Sequence, residues 1–388
     1  MIYFDNAATT FIKPKGVISE TVNAIQNYGN PGRSGYPLSL NASQKIFNTR
    51  LSLANFFGST SPEQVIFTMN ATMSLNIAIK CFIENNKNNS HIIISCFEHN
   101  SVLRPVNTLA KAGCEYDVAD ISLDKSDDYL TSDNIIKLIR ENTRMIILTH
   151  VSNVCGKILP IHDIIKKVKE KNPNIIIVVD AAQSAGVLDI NIEHDEIDIL
   201  CVPAHKNMFG ICGLGVMILN AKSKLNIAGT TALLIEGGTG IHSLDEAMPA
   251  DLPERFEAGT PNTPAIAALC AGIEYINSVT LEKIYAHEKI LYDKAIEMLK
   301  DLKNIELYSD FTDNGYIGPI LFNVKSRKCE EVSRILSKNE IFTRDGFHCA
   351  PLAHKKLGTI NSGGVRISLN YHNKSSELDK FYKTIKTL

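Results

Sequence analysis

Short runs of aliphatic side chains recur along the first 220 residues, with longer amphipathic segments between them. The clearest run fills residues 175–179 with five consecutive aliphatic residues, and similar runs lie at 65–69, 91–95, 145–150 and 199–202. They are too short for helices and rich in β-branched residues, which is typical of strands covered on both faces. Helical patterns occupy 14–26, 38–57 and 70–83. The alternation predicts an α/β fold, a large domain with a doubly wound, mostly parallel sheet.

A different pattern follows. Helical periodicity dominates from 264 to about 302, and it is succeeded by a strand near 317–324, a helix near 330–337 and a closing helix after 375. A chain of 388 residues is long for one core, so two domains are expected. We predict a large domain at 15–262 and a smaller α+β C-terminal domain at 263–388. The N-terminal segment 1–14 joins them, and the first twenty residues are expected to pack on the smaller one.

Composition excludes several classes of protein. The 40 basic and 42 acidic residues nearly balance, which argues against nucleic acid or an anionic membrane as a partner. No apolar run approaches the ~20 residues of a membrane span, and the N-terminus lacks a secretion pattern. The nine cysteines show no CxxC pair, which indicates reduced thiols in the cytoplasm. The biased tract at 84–90 is predicted to be a solvated loop.

Two charged residues follow strands that we expect to be neighbours. Asp180 ends the run 175–179, and Lys206 lies just beyond the run 199–202. Ligands of open α/β sheets bind beyond the carboxyl ends of the strands. A lysine that forms a Schiff base and a carboxylate that faces a pyridinium nitrogen are what pyridoxal phosphate requires. The plain alternative, a surface lysine and a helix-capping aspartate, stays open on spacing alone.

The glycines at 210, 213 and 215 suggest a dinucleotide-binding loop as a rival. That interpretation fails on context, because these glycines lead into a strand and not into a helix N-terminus.

The sequence VDAAQSAG at 179–186, with the His205-Lys206 pair and the glycine-rich turn after it, resembles the cysteine desulfurase branch of the class V aminotransferases. These are fold-type I pyridoxal phosphate-dependent transferases. The resemblance implies that Lys206 binds the cofactor covalently and that Asp180 contacts its ring nitrogen. It also implies that Gln183 bonds the cofactor's phenolic oxygen and that His205 reaches its phosphate.

Further matches follow the same order as in that family. DNAATT at 5–10 matches a segment that lies near the substrate. Ala71 and Thr72 open a helix after a strand, which suits a phosphate group, and relatives place a threonine there. His99 would stack on the cofactor ring and move protons, and Asn153 would contact the phenolic oxygen and the substrate carboxylate. An N-cap, a structural histidine and turn chemistry are the alternatives. Ser101 is expected to cap the helix after His99.

The stretch RFEAGTPNT at 255–263 resembles a segment that reaches into the neighbouring subunit's site. It implies a homodimer in which Thr260 binds the cofactor phosphate. Without the resemblance, an interdomain loop explains it equally well. Three departures from the family pattern stand out. Proline at 203 cannot donate a hydrogen bond, Met73 replaces a common glutamate, and the loop at 30–36 lacks a histidine found in relatives.

The sequence RDGFHCA at 344–350 resembles the RxGHHCA loop of group II cysteine desulfurases, in which the cysteine removes sulfur from the substrate. Phe347 departs from that loop. The neighbouring His348 and the nearby arginine could favour the reactive thiolate of Cys349. A buried, inert cysteine is the plain alternative. A zinc site of His348, Cys349 and His354 is disfavoured, because it has only three ligands.

Arg366 matches the arginine that grips the substrate carboxylate, for which its fork geometry is suited. The resemblance therefore implies a reaction from L-cysteine to L-alanine, with the sulfur passed through a Cys349 persulfide to an acceptor protein or a thiol. Alternatives are a lyase for L-selenocysteine, or another pyridoxal phosphate-dependent cysteine or cystine β-lyase. A third is a non-catalytic scaffold of the same fold that binds a sulfur-transfer partner.

Overall fold

The structure is a computed structural model that describes residues 1–32, 34–83, 88–227, 229–230, 232–309 and 315–388. Most of the predicted loop at 84–90 therefore lies outside the described residues, as does residue 33 of the loop at 30–36. The strands are β1 Ile2–Tyr3, β2 Val65–Thr68, β3 His91–Ser95, β4 Glu115–Ala119, β5 Thr143–Thr149, β6 Ile176–Asp180, β7 Ile199–Pro203, β8 Gly215–Leu219, β9 Ile305–Leu307, β10 Pro319–Val324, β11 Ile341–Phe342, β12 Arg344–Gly346 and β13 Gly364–Ser368.

The helices at 15–27, 37–56, 71–83 and 329–338 match predicted segments to within a few residues. They are α1 Lys15–Asn27, α2 Pro37–Phe56, α3 Ala71–Ile83, α4 Asn100–Lys111, α5 Asp128–Leu138, α6 Ile161–Lys171, α7 Thr263–Val279, α8 Leu281–Lys300, α9 Cys329–Lys338, α10 Pro351–Lys356 and α11 Ser375–Ile385. No single helix among the described residues is both long and apolar enough to cross a membrane, and α7 with α8 passes that test only as a pair bent by 80°.

The large sheet has seven strands in the order β2-β8-β7-β6-β5-β3-β4. Strands β3 to β7 pair in parallel, whereas β8 runs antiparallel to both β7 and β2. Successive residues of a strand alternate between two hydrophobic clusters. Ile146 belongs to one cluster and Ile147 to the other, because side chains on a strand point to opposite faces. Both faces are therefore covered, and the predicted doubly wound α/β fold is confirmed.

The C-terminal part contains a four-stranded antiparallel sheet in the order β12-β13-β10-β9. Strand β1 pairs with β11, and Asp5 forms a bridge to Ser368 of β13. Helix α1 packs on α7. The division into domains at 262/263 stays a prediction.

Candidate active site

The carboxyl ends of the large sheet's strands and the edge of the small sheet enclose a pocket of about 230 Å³. Ten of the eleven predicted site residues line it: Ala71, Thr72, His99, Asn153, Asp180, Gln183, His205, Lys206, Cys349 and Arg366. The eleventh, Thr260, is exposed and lies outside this pocket. Residues as far apart as 71 and 366 in the chain thus form a single site.

Asp180 is the last residue of β6 and is 3% exposed. Its Oδ1 accepts a hydrogen bond of 2.9 Å from the backbone N–H of Ala182, which fixes the carboxylate at the strand end. Burial raises the pKa of Asp180, and the nearby Lys206 opposes that shift. The carboxylate can therefore face a cationic ring nitrogen inside the pocket.

Lys206 follows β7, and the N-terminal segment holds its backbone in place. The Thr10 hydroxyl donates to the Lys206 carbonyl at 2.8 Å, and Lys13 Nζ donates to the His205 carbonyl at 3.0 Å. Burial lowers the pKa of Lys206 to about 8, with smaller contributions from Arg366 and Arg344. An amine with this pKa is neutral often enough to act as a nucleophile.

The N-terminus of α3 offers a place for an anion. The backbone N–H groups of Ala71 and Thr72 have no acceptor among the residues that the structure describes, and such groups bind phosphate well. Gly215 of β8 lies against them, because a Cβ there would come within 2.3 Å of the Asn70 carbonyl carbon. The buried Nδ1 of His205 is also unpartnered. Pro203 lines the pocket as well and donates nothing.

His99 is the N-cap of α4, and the prediction that Ser101 caps this helix is wrong. The ring Nδ1 accepts the backbone N–H of Ser101 at 3.0 Å, so the ring proton of neutral His99 is on Nε2. Burial, followed by the charge of Lys206, lowers the pKa of His99 to about 4. The capping bond thus fixes the tautomer of a residue in the pocket wall.

Arg366 on β13 is 1% exposed and forks across the pocket wall. Its Nη2 lies 2.6 Å from Asp5 Oδ1, and its Nη1 donates to the Asn153 carbonyl at 2.9 Å. Its buried Nε is unpartnered. Arg344 on β12 stands directly opposite Arg366 in the antiparallel pair and also lines the pocket. The sequence indicates Arg344 only as a neighbour of Cys349, because the register between β12 and β13 cannot be read from it.

Cys349 lies in the turn between β12 and α10. It and Cys212 are the exposed cysteines, and the other seven are buried. Two residues that follow strands of the large sheet hold this turn: Asn153 Nδ2 donates to the His348 carbonyl at 2.8 Å, and the Asn100 N–H donates to the Cys349 carbonyl at 2.7 Å. The turn therefore presents the thiol at the pocket.

The charge of His348 bears on the predicted reactivity of Cys349. Burial, followed by the charge of Arg366, lowers the pKa of His348 to about 2. His348 is thus neutral and supplies no positive charge to the thiol. His348 and His354 contact each other at 3.1 Å. Elsewhere among the described residues, three side chains of types that bind metal ions lie close together at the surface. They are His162, His194 and Asp195.

One further residue close to the pocket, Glu98, was not predicted from the sequence as a site residue. Glu98 is fully buried, and its Oε1 accepts from the Ser95 hydroxyl at 2.5 Å and from the Thr149 N–H at 2.8 Å. Burial raises the pKa of Glu98 to about 8. No sequence signal distinguishes this carboxylate from a helix-capping one.

Gln183, a predicted site residue, donates from Nε2 to the Ala7 carbonyl at 3.1 Å.

Residues 2–381 match the sequence profile of the Aminotransferase class-V family. The chain belongs to this family. A probable cysteine desulfurase of Pyrococcus abyssi is 32% identical over all of this chain and 94% of its own length. One from Borreliella burgdorferi is 31% identical, again over all of this chain and 91% of its own. The predicted family is confirmed.

Solved structures of class-V proteins agree with this assignment. The apo structure of a cysteine desulfurase from Thermococcus onnurineus superposes with a TM-score of 0.90 at 32% identity, covering 100% of this chain and 94% of that one. The cysteine desulfurase CsdA of Escherichia coli has a TM-score of 0.86 at 22% identity, covering 99% and 94%. The second likeness concerns the fold alone.

Proposed function

We propose that this class-V protein is an enzyme that binds pyridoxal phosphate and removes sulfur from L-cysteine to give L-alanine. The observation that carries the proposal is the placement of Lys206, Asp180 and the exposed Cys349 on one pocket. Lysine and aspartate suit the cofactor. An accessible cysteine is needed for chemistry at the substrate's sulfur, and generic chemistry of this cofactor has no use for it.

The donor set fits pyridoxal phosphate. The Lys206 amine would hold it covalently, and Asp180 would face the ring nitrogen and keep it protonated. The free N–H groups of Ala71 and Thr72 would take the phosphate, with His205 beside them. His99, fixed by its capping bond, would lie on the ring. When bound, the cofactor stabilises the negative charge that develops at the substrate Cα.

The remaining residues bind and orient the substrate. The Arg366 guanidinium would hold the substrate carboxylate by its fork, aided by Asn153. Lys206, once released by the substrate, would remove the proton from the substrate Cα. Its lowered pKa suits this exchange of protons near neutral pH.

Cys349 then acts on sulfur. Its thiolate attacks the substrate's sulfur, so an S–S bond forms as the bond between sulfur and Cβ breaks. The electron pair of the broken bond remains on Cβ, which takes up a proton, and L-alanine leaves. Cys349 retains a persulfide, whose outer sulfur passes to an acceptor protein or a small thiol. Each sulfur atom and electron pair is thereby accounted for.

A homodimer completes this proposal. Thr260 is exposed and outside its own chain's pocket, as expected of a residue that serves a second subunit's phosphate site. Exposed apolar side chains on α1 and α2 support an interface there; they are Ile18, Val22, Ile25, Leu38, Leu40, Phe47 and Leu51. The cytoplasm remains the predicted compartment.

The test compares Cys349→Ala with Cys212→Ala, a matched pair because these are the two exposed cysteines. Alanine and sulfide released from L-cysteine are measured with a thiol reductant present. We expect wild type and Cys212→Ala to release both in equal amounts. Cys349→Ala should lose both and keep the cofactor's visible absorbance.

Other outcomes select an alternative. Full activity of Cys349→Ala would favour a β-lyase that does not use this thiol. Turnover of L-selenocysteine in preference to L-cysteine would identify a selenocysteine lyase. A folded protein without cofactor absorbance would identify a non-catalytic scaffold.

A further inference from the structure

The turn that carries Cys349 has an uncommon backbone conformation. His348 and Cys349 adopt φ angles of +50° and +56°, the left-handed region that side chains with a Cβ disfavour. Two such residues in succession persist only where surrounding contacts hold them. The bonds from Asn153 and Asn100 fix the two carbonyl groups of the turn. Neither bond involves the His348 ring, so other contacts must hold the ring.

A chain of hydrogen bonds holds that ring. His348 Nε2 lies 3.3 Å from the Arg344 carbonyl, and His348 Nδ1 lies 3.1 Å from His354 Nε2. His354 Nδ1 lies 2.7 Å from the Thr359 hydroxyl. The two rings stack with an interplanar angle of 15°. His348, His354 and Thr359 are each at most 3% exposed.

Only one arrangement of protons satisfies this chain. The Arg344 carbonyl can only accept, so His348 carries its proton on Nε2 and accepts at Nδ1. His354 must then donate from Nε2 and accept at Nδ1, which leaves the Thr359 hydroxyl as the donor. The Thr359 hydroxyl lies 3.4 Å from the His354 carbonyl, further than from Nδ1, and the Thr359 N–H donates to the same carbonyl at 2.8 Å. Burial lowers the pKa of His354 to about 4, in keeping with two neutral rings.

We propose that His354 and Thr359 are positioning residues that set the tautomer and orientation of His348 and so hold the Cys349 thiol in its reactive place. This inference rests on the proposed function of Cys349. One consequence is chemical: both ring nitrogens of His348 are engaged, so His348 is not the base that takes the Cys349 proton. Neither His354 nor Thr359 lines the pocket.

The test replaces the Thr359 hydroxyl. Thr359→Val keeps the shape of the side chain and removes the donor, whereas Thr359→Ser keeps the donor. For the holoenzyme acting on L-cysteine, we expect Thr359→Val to lower kcat by about tenfold or more and to leave KM and cofactor absorbance unchanged. The reason is that the free energy of one lost buried hydrogen bond changes a rate by about this factor. Thr359→Ser should restore kcat to within about twofold.

Two results would overturn the inference. One is a kcat of Thr359→Val close to that of wild type. The other is a parallel loss of kcat, KM and cofactor absorbance that serine does not restore, because the residues would then support the fold and not the thiol. If Thr359→Val does not fold, His354→Phe provides the same comparison, since it keeps a stacked ring and removes both bonds.

Failure of the proposed function would look different. Wild type would then release no alanine from L-cysteine. In that case the alkylation rate of Cys349 by iodoacetamide, located by mass spectrometry, decides the inference without a substrate. The rate must change in Thr359→Val and return in Thr359→Ser; equal rates in all three proteins would reject the positioning role.

Discussion

Arg366 and Asp5 form an ion pair across the pocket wall, with Nη2 and Oδ1 2.6 Å apart. The side chain of Arg366 is 1% exposed and that of Asp5 is 21% exposed. A buried guanidinium without a counter-charge is unfavourable. Asp5 therefore fixes the cation that we assign to the substrate carboxylate, in the position where the substrate would meet it.

We expect Asp5→Asn to raise the KM for L-cysteine about tenfold, because a buried Arg366 without its counter-charge is no longer held in position. The change in kcat should be smaller, since Lys206 and Cys349 are untouched. Steady-state kinetics with L-cysteine measures both constants.

Asp379→Asn is the control for this substitution. It breaks the Lys294–Asp379 pair, which has the same 2.6 Å separation but side chains 30% and 51% exposed. Exposed pairs contribute little, so this variant should match wild type. An Asp5→Asn enzyme with an unchanged KM would show that Arg366 needs no counter-charge.

The lowered pKa of Lys206 predicts how cofactor capture depends on pH. Only the neutral amine attacks, and with a pKa of about 8 half of the amine is neutral at about pH 8 and nearly all of it above about pH 9. The rate at which cofactor-free protein captures pyridoxal phosphate should therefore rise from about pH 6 to about pH 9 and then flatten. Stopped-flow absorbance follows this capture.

An ordinary lysine would show a rate that continues to climb towards pH 10. Such a climb would contradict the burial of the Lys206 amine. Lys13 also has a pKa lowered to about 8, by burial, so borohydride reduction and peptide mapping must show that the label is on Lys206. Lys206→Ala should capture none covalently.

The raised pKa of Glu98 predicts that the folded protein loses stability as the pH increases. Its pKa rises from 4.5 to about 8 on folding, so within that window the folded state holds a proton that the unfolded chain has released. The contribution of protonated Glu98 to the free energy of unfolding is thus fully present below pH 4.5 and is lost as pH rises through 8. Urea unfolding should show wild type losing stability relative to Glu98→Gln as pH increases from 5 to 8.

Glu288 offers a parallel case outside the pocket. It is 2% exposed, and burial raises its pKa to about 8 as well. Glu288→Gln should therefore change the pH dependence in the same direction. A difference between wild type and Glu98→Gln that stays constant over this range would mean that Glu98 is ionised in the folded protein.

Gly215→Ala should weaken the binding of pyridoxal phosphate. The new Cβ would come within 2.3 Å of the Asn70 carbonyl carbon and 2.7 Å of the Ala71 nitrogen, which forces the N-terminus of α3 away. We expect the cofactor's Kd to rise about tenfold, equivalent to about 1.4 kcal/mol. Gly16→Ala, where nothing lies within 4 Å, is the control and should bind normally.

Local sequence patterns were sufficient to predict the large sheet and the side of the site that contains Asp180 and Lys206. Asp180 and Lys206 follow strands whose aliphatic runs are unmistakable, and parallel strands bring their carboxyl ends to one edge. The cap at His99 was missed, since hydroxyl residues usually cap helices. In the structure, the imidazole Nδ1 of His99 accepts the backbone N–H of Ser101, and the Ser101 hydroxyl is not the cap.

Contacts between distant segments could not be predicted. Asp5 meets Arg366 across 361 positions, and Arg344 faces Arg366 only through the register of β12 and β13. A register change of one residue turns every side chain to the other face, and no local pattern fixes it here.

The pairing of residue 5 with residue 366 also sets an order of assembly. Asp180, Lys206 and the N-terminus of α3 belong to a sheet that is complete by residue 219, whereas the carboxylate-binding corner requires the chain to be closed over its whole length. Distant contacts of this kind form late, because the loop between them must be ordered first. A newly made chain can thus acquire the cofactor half of its pocket before β13 exists, and specificity for a substrate arises only when the last sheet closes.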